Sequence, residues 1–260
     1  MPLAWDSFAA FPLLRWQGPE GIVAAFTSRR GGVSVGPFAS LNLGFTTGDD
    51  RAAVAENRRR LCAAVGADPL RTVQNHQVHG SAVRVAEPMP GGYLDPQGDL
   101  PQADALITRE AGLALVALSA DCVPIVIGAL DGSALAVVHA GWKGLVAGVV
   151  EAAVQTLGEG ACAAAVGPCA GPIAYEVGDD VAGQLRDRFG ERAAAGGTAD
   201  LAACAGAALM RAGVSPDAIE IAGLCTITDA DTFFSYRRDG ERTGRQGVIA
   251  YREERDAEES

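Results

Sequence analysis

The sequence predicts a mixed α/β fold of the α+β kind: one domain in which mixed β-sheets are covered by helices. Three observations carry this. Short unbroken apolar runs such as 113–122 and 123–129 read as buried strands. Segments with helical spacing are interspersed among them. Several strands follow one another with only turns between, so the pattern is not a series of regular βαβ units. No repeat, linker or composition shift divides the 260 residues.

Taken in order, residues 21–29 read as a strand, apolar and β-branched before turning polar. Residues 29–44 form a Gly-rich loop, too broken for an element. Residues 49–67 read as a helix, with Asp49 or Asp50 as cap and Val54, Leu61 and Val65 on one face. Residues 71–86 suggest two short strands around His79-Gly80, and 87–102 is a loop by its Pro and Gly content. "SALAVVHAG" is a third buried strand after the two runs named above. Residues 145–160 have helical spacing and stop at Gly158. A strand at "CAAAVGP" precedes two helices, "GDDVAGQLRDRFG" and "TADLAACAGAALMRAGV", both expected to carry N-cap residues. "IEIAGLCTI" and "GVIAYRE" are the last strands, and 253–260 is a charged flexible tail.

Composition excludes several classes. Hydrophobic residues make up 48% and charged residues 20%, as in a globular protein with a large core. No apolar run reaches membrane-spanning length, and the start lacks the basic region of a signal peptide, so a cytoplasmic location is expected. The net charge of −11 repels a nucleic-acid backbone, and no basic stripe offsets it. The six cysteines show no C-x-x-C pair and are expected as free thiols. No heptad or interface patch is visible, so a monomer or weak homodimer is expected.

Only three histidines exist: His76, His79 and His139. Cys122 lies just past one buried strand, and His139 ends the next-but-one strand, where α/β folds place their chemistry. His79 sits in a turn. Two imidazoles and a thiolate with a fourth position open suit catalytic zinc. His76 would point to the opposite side from His79 and is excluded. A second reading is a thiol enzyme, with Cys122 attacking, His139 as base and Asp121 or another acid orienting it. A third is an ordinary core thiol beside a hydrogen-bonded strand-end histidine. Residue types leave all three open.

Further motifs occur in order: "SRRGGVS", "SLNLG", "QVHG", "ADAL", "SADCVPI", "HAGWKG", "GPCAGPIAYEVG" and "FFSYRRDGERTGR". Together they resemble the polyphenol oxidase/laccase-domain family, whose members are also described as purine nucleoside phosphorylases and peptidoglycan editing factors. The resemblance covers roughly residues 20 to 252. It implies a layered α/β/β/α fold, related to a bacterial toxin deamidase with a Cys-His pair. It implies zinc on His79, Cys122 and His139. It also implies phosphorolysis of adenosine, inosine and methylthioadenosine, with adenosine deamination besides. One departure is Lys143 where the family often has Arg; the charge stays but the planar fork is lost.

Those reactions need particular groups. Phosphate wants guanidinium groups, offered by Arg29 beside Gly31-Gly32 and by Arg237 and Arg238; the resemblance favours Arg29 and Arg238. Asn42 could contact ribose or hold its loop. Proton transfer in deamination needs a carboxyl group, from Asp121 or Glu176, although Asp121 more readily orients a ligand histidine. Copper could replace zinc in a His₂Cys set and give a single-copper phenol oxidase. The thiol reading gives a cysteine hydrolase acting on an amide or peptidoglycan precursor.

Overall fold

The computed structural model describes residues 2–6, 12–158 and 160–254. In chain order the elements are β1 (Leu3–Asp6), β2 (Leu13–Trp16), β3 (Ile22–Thr27), α1 (Arg51–Val65), β4 (Thr72–Gln74), β5 (Val83–Val85), β6 (Ala105–Thr108), β7 (Ala114–Ser119), β8 (Val123–Ala129) and β9 (Leu135–Ala140). Then follow α2 (Trp142–Ala147), α3 (Val149–Leu157), β10 (Cys162–Val166), α4 (Asp179–Phe189), β11 (Ala194–Ala195), β12 (Thr198–Ala199), α5 (Leu201–Arg211), β13 (Ile219–Ile221), α6 (Tyr236–Asp239) and β14 (Gln246–Arg252).

Two six-stranded sheets result, in the orders β1-β2-β3-β14-β7-β4 and β13-β10-β8-β9-β6-β5. Both are mixed: β4 runs parallel to β7, β10 to β13 and β5 to β6, and the other ladders are antiparallel. The unbroken apolar runs follow from burial on both faces. In β7, Leu115 and Ala117 face the core between the sheets while Ala114 and Val116 face α1. In β9, Leu135 and Val137 face the inter-sheet core while Ala136 and Val138 face the helices. Trp16, Phe26, Val126 and Val248 complete the middle layer. Leu61, Cys62 and Val65 of α1 cover the first sheet. Leu145, Val150, Leu185 and Leu209, from α2 to α5, cover the second. The order of layers is therefore α/β/β/α, a single domain as expected.

Several local readings change. The helix expected over 145–160 is two helices, beginning at Trp142 and broken at Gly148, whose φ of 85° ends α2 in the left-handed region. Of the two expected caps, Asp200 does accept from Ala203 N (2.9 Å), but the N-cap of α4 is Gly178, which offers no side-chain cap. Asp179 and Asp180 in its first turn offset the helix dipole instead. Strands β1, β2 and β6 were not expected; they are four residues each and show no alternation to read. The strand expected from "IEIAGLCTI" shrinks to 219–221. Of the charged tail, residues 255–260 lie outside the described residues; Glu253 and Glu254 are exposed, and Glu253 N donates to Gly21 O (2.8 Å). All six cysteines are free. No helix among the described residues is long and apolar enough to cross a membrane.

Candidate metal centre

Strand register assembles the site. β9 pairs with β8 on one side, Pro124 opposite His139 and Val123 opposite Ala140. On the other side it pairs with β6, Ala105 opposite Val138. Cys122 and Asp104 therefore come up on either side of the end of β9. There His139 N donates to Asp104 O (2.8 Å). The third element, the turn at His79, is clipped to β7 by Gln77, whose amide donates to Leu118 O (2.6 Å) and accepts from Leu118 N (2.8 Å).

Ligand atoms of His79, Cys122 and His139 lie within 4.8 Å of one another. The imidazoles meet edge to face, centroids 4.9 Å apart. His139 is buried, Cys122 half-buried and His79 exposed, so the trio opens to solvent on the His79 side. Gly141 is required: a Cβ there would stand 2.9 Å from Cys122 Sγ and 3.0 Å from His79 Cδ2.

Asp104 organises the trio. Its carboxylate accepts from His139 Nδ1 (2.8 Å) and from the backbone N–H groups of His79 (2.9 Å), Gly80 (2.8 Å) and Val78 (3.1 Å). Burial alone would raise its pKa, but these hydrogen bonds and the His139 charge hold it below the ordinary carboxylate value. A carboxylate accepting from Nδ1 fixes the tautomer and leaves Nε2 for the centre. The three backbone bonds also hold His79 at φ 60°, a left-handed conformation costly for a residue with a Cβ.

Cys122 is strongly polarised. Burial pushes its thiol up, but the charge of His139 and hydrogen bonds from both imidazoles outweigh this and lower its pKa to about 6. His139 is raised to about 9, chiefly by the thiolate and Asp104 against the opposing effect of burial. The thiolate is thus populated above pH 6 and lost below it. In metal-stripped protein, alkylation of Cys122 should be half-maximal near pH 6, against about 8.5 for an ordinary thiol. Peptide mapping would locate the label, because Cys225 is also lowered, by the Thr228 hydroxyl and backbone N–H groups against burial. A half-point at pH 8 or above would show that the imidazoles do not hold the thiolate.

The donor set fits a metal: two imidazoles, one of them oriented by a carboxylate, and a thiolate, converging from three elements with one side open. His76 is exposed and bridges to Gln102, away from the trio.

The remaining expected residues fare unevenly. Asp121 orients no histidine: Oδ1 accepts from Thr226 Oγ1 (2.7 Å) and Oδ2 from Arg237 N (2.7 Å). The acid expected of it is Asp104, across the sheet. Asn42 is fully buried; its amide donates to Thr47 Oγ1 and Asp49 Oδ2 and accepts from Gly44 N and Arg245 N. It holds its loop and has no donor left for ribose. Arg238 has every guanidinium nitrogen engaged, with Asp239, Thr226 O, Ile227 O and Phe233 O. Arg29 ties Ala39 O to Ala230 O and lies over Phe234. Arg237 donates to Glu176 O (2.7 Å) and lies over Tyr175. Glu176 and Arg237 line an open cleft of about 440 Å³ that none of the three ligands lines, although Asp121 joins Arg237 to the turn carrying Cys122. Sequence reasoning missed Asp104. Asp104 lay in the "ADAL" motif, but nothing local marked its partner.

Fold and site together define an α/β/β/α enzyme class with a His-Cys-His cluster able to bind a metal at a sheet end. The chain belongs to the family described as "Multi-copper polyphenol oxidoreductase laccase", whose model matches residues 23–253. It is 44% identical over 253 residues to "Purine nucleoside phosphorylase" of Xylella fastidiosa (strain Temecula1), covering 91% of this chain and 94% of that one. It is 38% identical over 247 residues to "Purine nucleoside phosphorylase YfiH" of Escherichia coli K12, covering 91% and 96%. The crystal structure of YlmD from Geobacillus stearothermophilus superposes with a TM-score of 0.88 at 34% identity, covering 97% of this chain and all of that one.

Proposed function

We propose that this chain is a purine nucleoside phosphorylase. It cleaves adenosine, inosine and methylthioadenosine with phosphate to the free base and the (methylthio)ribose 1-phosphate, and deaminates adenosine as a second activity. The observation that carries this is the converging trio His79, Cys122 and His139 in a chain 44% identical to a protein of that name. His79, Cys122 and His139 would hold zinc, which supplies Lewis acidity when bound. The chain's own residues do the rest. Asp104 keeps the Nδ1 proton on His139 and so keeps Nε2 directed at the centre. Exposed His79 leaves one side open to a nucleoside. Copper suits the same ligands, but three histidines in the whole chain cannot ligate several coppers, so an oxidase activity would be that of a single ion. Six free thiols suit the reducing cytoplasm, where we place the protein.

A second reading has its own observation. Asp104, His139 and Cys122 line up as carboxylate, imidazole and thiol, with Asp104 2.8 Å from Nδ1 and the thiol hydrogen-bonded to the ring. On side-chain geometry alone this favours a cysteine hydrolase acting on an amide or peptidoglycan precursor, because the alignment needs no added atom. The names of the relatives carry the phosphorylase.

Adenosine incubated with pure protein, with and without phosphate, and then chromatographed separates the readings. Adenine and ribose 1-phosphate formed only with phosphate is the expected result. Inosine in both samples would identify the deaminase. No change in either, with metal confirmed bound, would overturn the nucleoside reading and leave the cysteine hydrolase.

A further inference from the structure

We propose that Arg245 is the residue that holds the phosphate at this centre. The proposal rests on the phosphorylase reading and names the group that reading lacks. Its first support is placement. β14 begins at Gln246, which pairs with Ser119, so Arg245 emerges beside the turn that carries Asp121 and Cys122.

The second support is an account of donors. A guanidinium has five N–H groups. Arg238 uses all its nitrogens on the chain, and Arg29 braces its loop against residue 230. Arg245 differs. Its backbone N donates to Asn42 Oδ1 (2.8 Å), and Nη1 donates to Thr243 O (3.1 Å) and Gly244 O (2.9 Å). Gly44 leaves room for its stem, since a Cβ there would come within 2.9 Å of Arg245 Cγ. The side chain is thus fixed in place by groups that use one nitrogen only. Nε and Nη2 have no hydrogen-bond partner among the described residues, which leaves the face of the fork suited to bidentate oxyanion binding.

The third support is chemical need. A phosphate held beside this turn needs a fixed, permanently charged donor, which a guanidinium supplies. Lys143, the only lysine, is exposed and lies over Trp142. Arg245 is half-buried, so its charge is less screened by water than that of exposed Arg237.

Calorimetric titration of the metal-loaded protein with inorganic phosphate tests this. Arg245→Gln should weaken phosphate binding by roughly 10- to 100-fold, the size expected for charge-assisted hydrogen bonds. Metal content and circular dichroism should match wild type. Arg245→Lys keeps the charge but loses the fork and should fall between them; it also decides the matter if the Gln variant does not fold. Wild-type affinity in the variant that folds would overturn the proposal while leaving the phosphorylase reading intact. A wild-type protein that neither binds phosphate nor consumes it would overturn the phosphorylase reading, and this proposal with it.

Discussion

Cys122→Ala is expected to lower kcat/KM for adenosine phosphorolysis by about a thousandfold or more, and to lower bound metal in proportion. The size follows from the loss of a group that acts as one unit with its neighbours. Cys122 is the one anionic ligand of the trio, and in the metal-free site its thiolate raises the His139 pKa. Its removal leaves two imidazoles, one exposed, as a weak pair of donors. The readouts are metal content by elemental analysis and phosphorolysis under saturating phosphate. Chelation of the wild type decides what the thiol does. If the chelated enzyme matches the variant, Cys122 works by holding metal. If it keeps full activity while the variant is inactive, Cys122 is a nucleophile and the hydrolase reading takes over.

The second large effect is on stability. Asp104→Ala should destabilise the fold by about 3–5 kcal/mol, as for breaking a buried charge pair. The Asp104 side chain is fully buried and accepts four hydrogen bonds, one from His139 and three from backbone N–H groups. Removal leaves those donors unmatched and frees His79 from its left-handed turn. A loss of this size is a large share of the roughly 5–15 kcal/mol that holds a domain folded. Metal affinity should fall about 10- to 100-fold, the usual consequence of losing a carboxylate behind a histidine ligand. The pH dependence has a definite sign. A carboxylate whose folded pKa lies below its unfolded value stabilises above the unfolded value, and that contribution is lost as pH falls through the folded one. The wild type should therefore lose stability in acid that Asp104→Ala never had. Urea titration of both proteins, repeated at pH 7 and at pH 3, measures each part. A change below about 1 kcal/mol at pH 7 would show that water replaces the carboxylate at little cost.

How far the sequence could be read depended on the range of the forces involved. Periodicity is local, so β3, α1, β7, β8, β9 and β14 were legible from apolar runs and helical spacing. β1, β2 and β6 are too short to show a period. The break at Gly148 was hidden because 145–157 stays apolar at helical spacing on both sides of it. His79, Cys122 and His139 could be nominated by residue type and by position at strand ends, although separations of 43 and 17 residues gave no local metal signature. Asp121 was nominated for its nearness in sequence and does something else: it joins Thr226 to the first turn of α6. Asn42 and Arg238 have donors that suit a ligand, and the fold turns those donors inward.

By itself the sequence determined the alternation of buried strands and helices and the net negative charge, and it nominated the three residues of the centre. Only the tertiary structure decided which acid serves His139 and which arginines, Arg238 above all, turn their donors inward. The reason is that hydrophobic patterning is written along the chain, whereas a hydrogen-bond partner is chosen across it. The register of β6 against β9 brings Asp104 to His139 over 35 residues, and that of β14 against β7 brings Arg245 to the turn at Asp121 over more than 120.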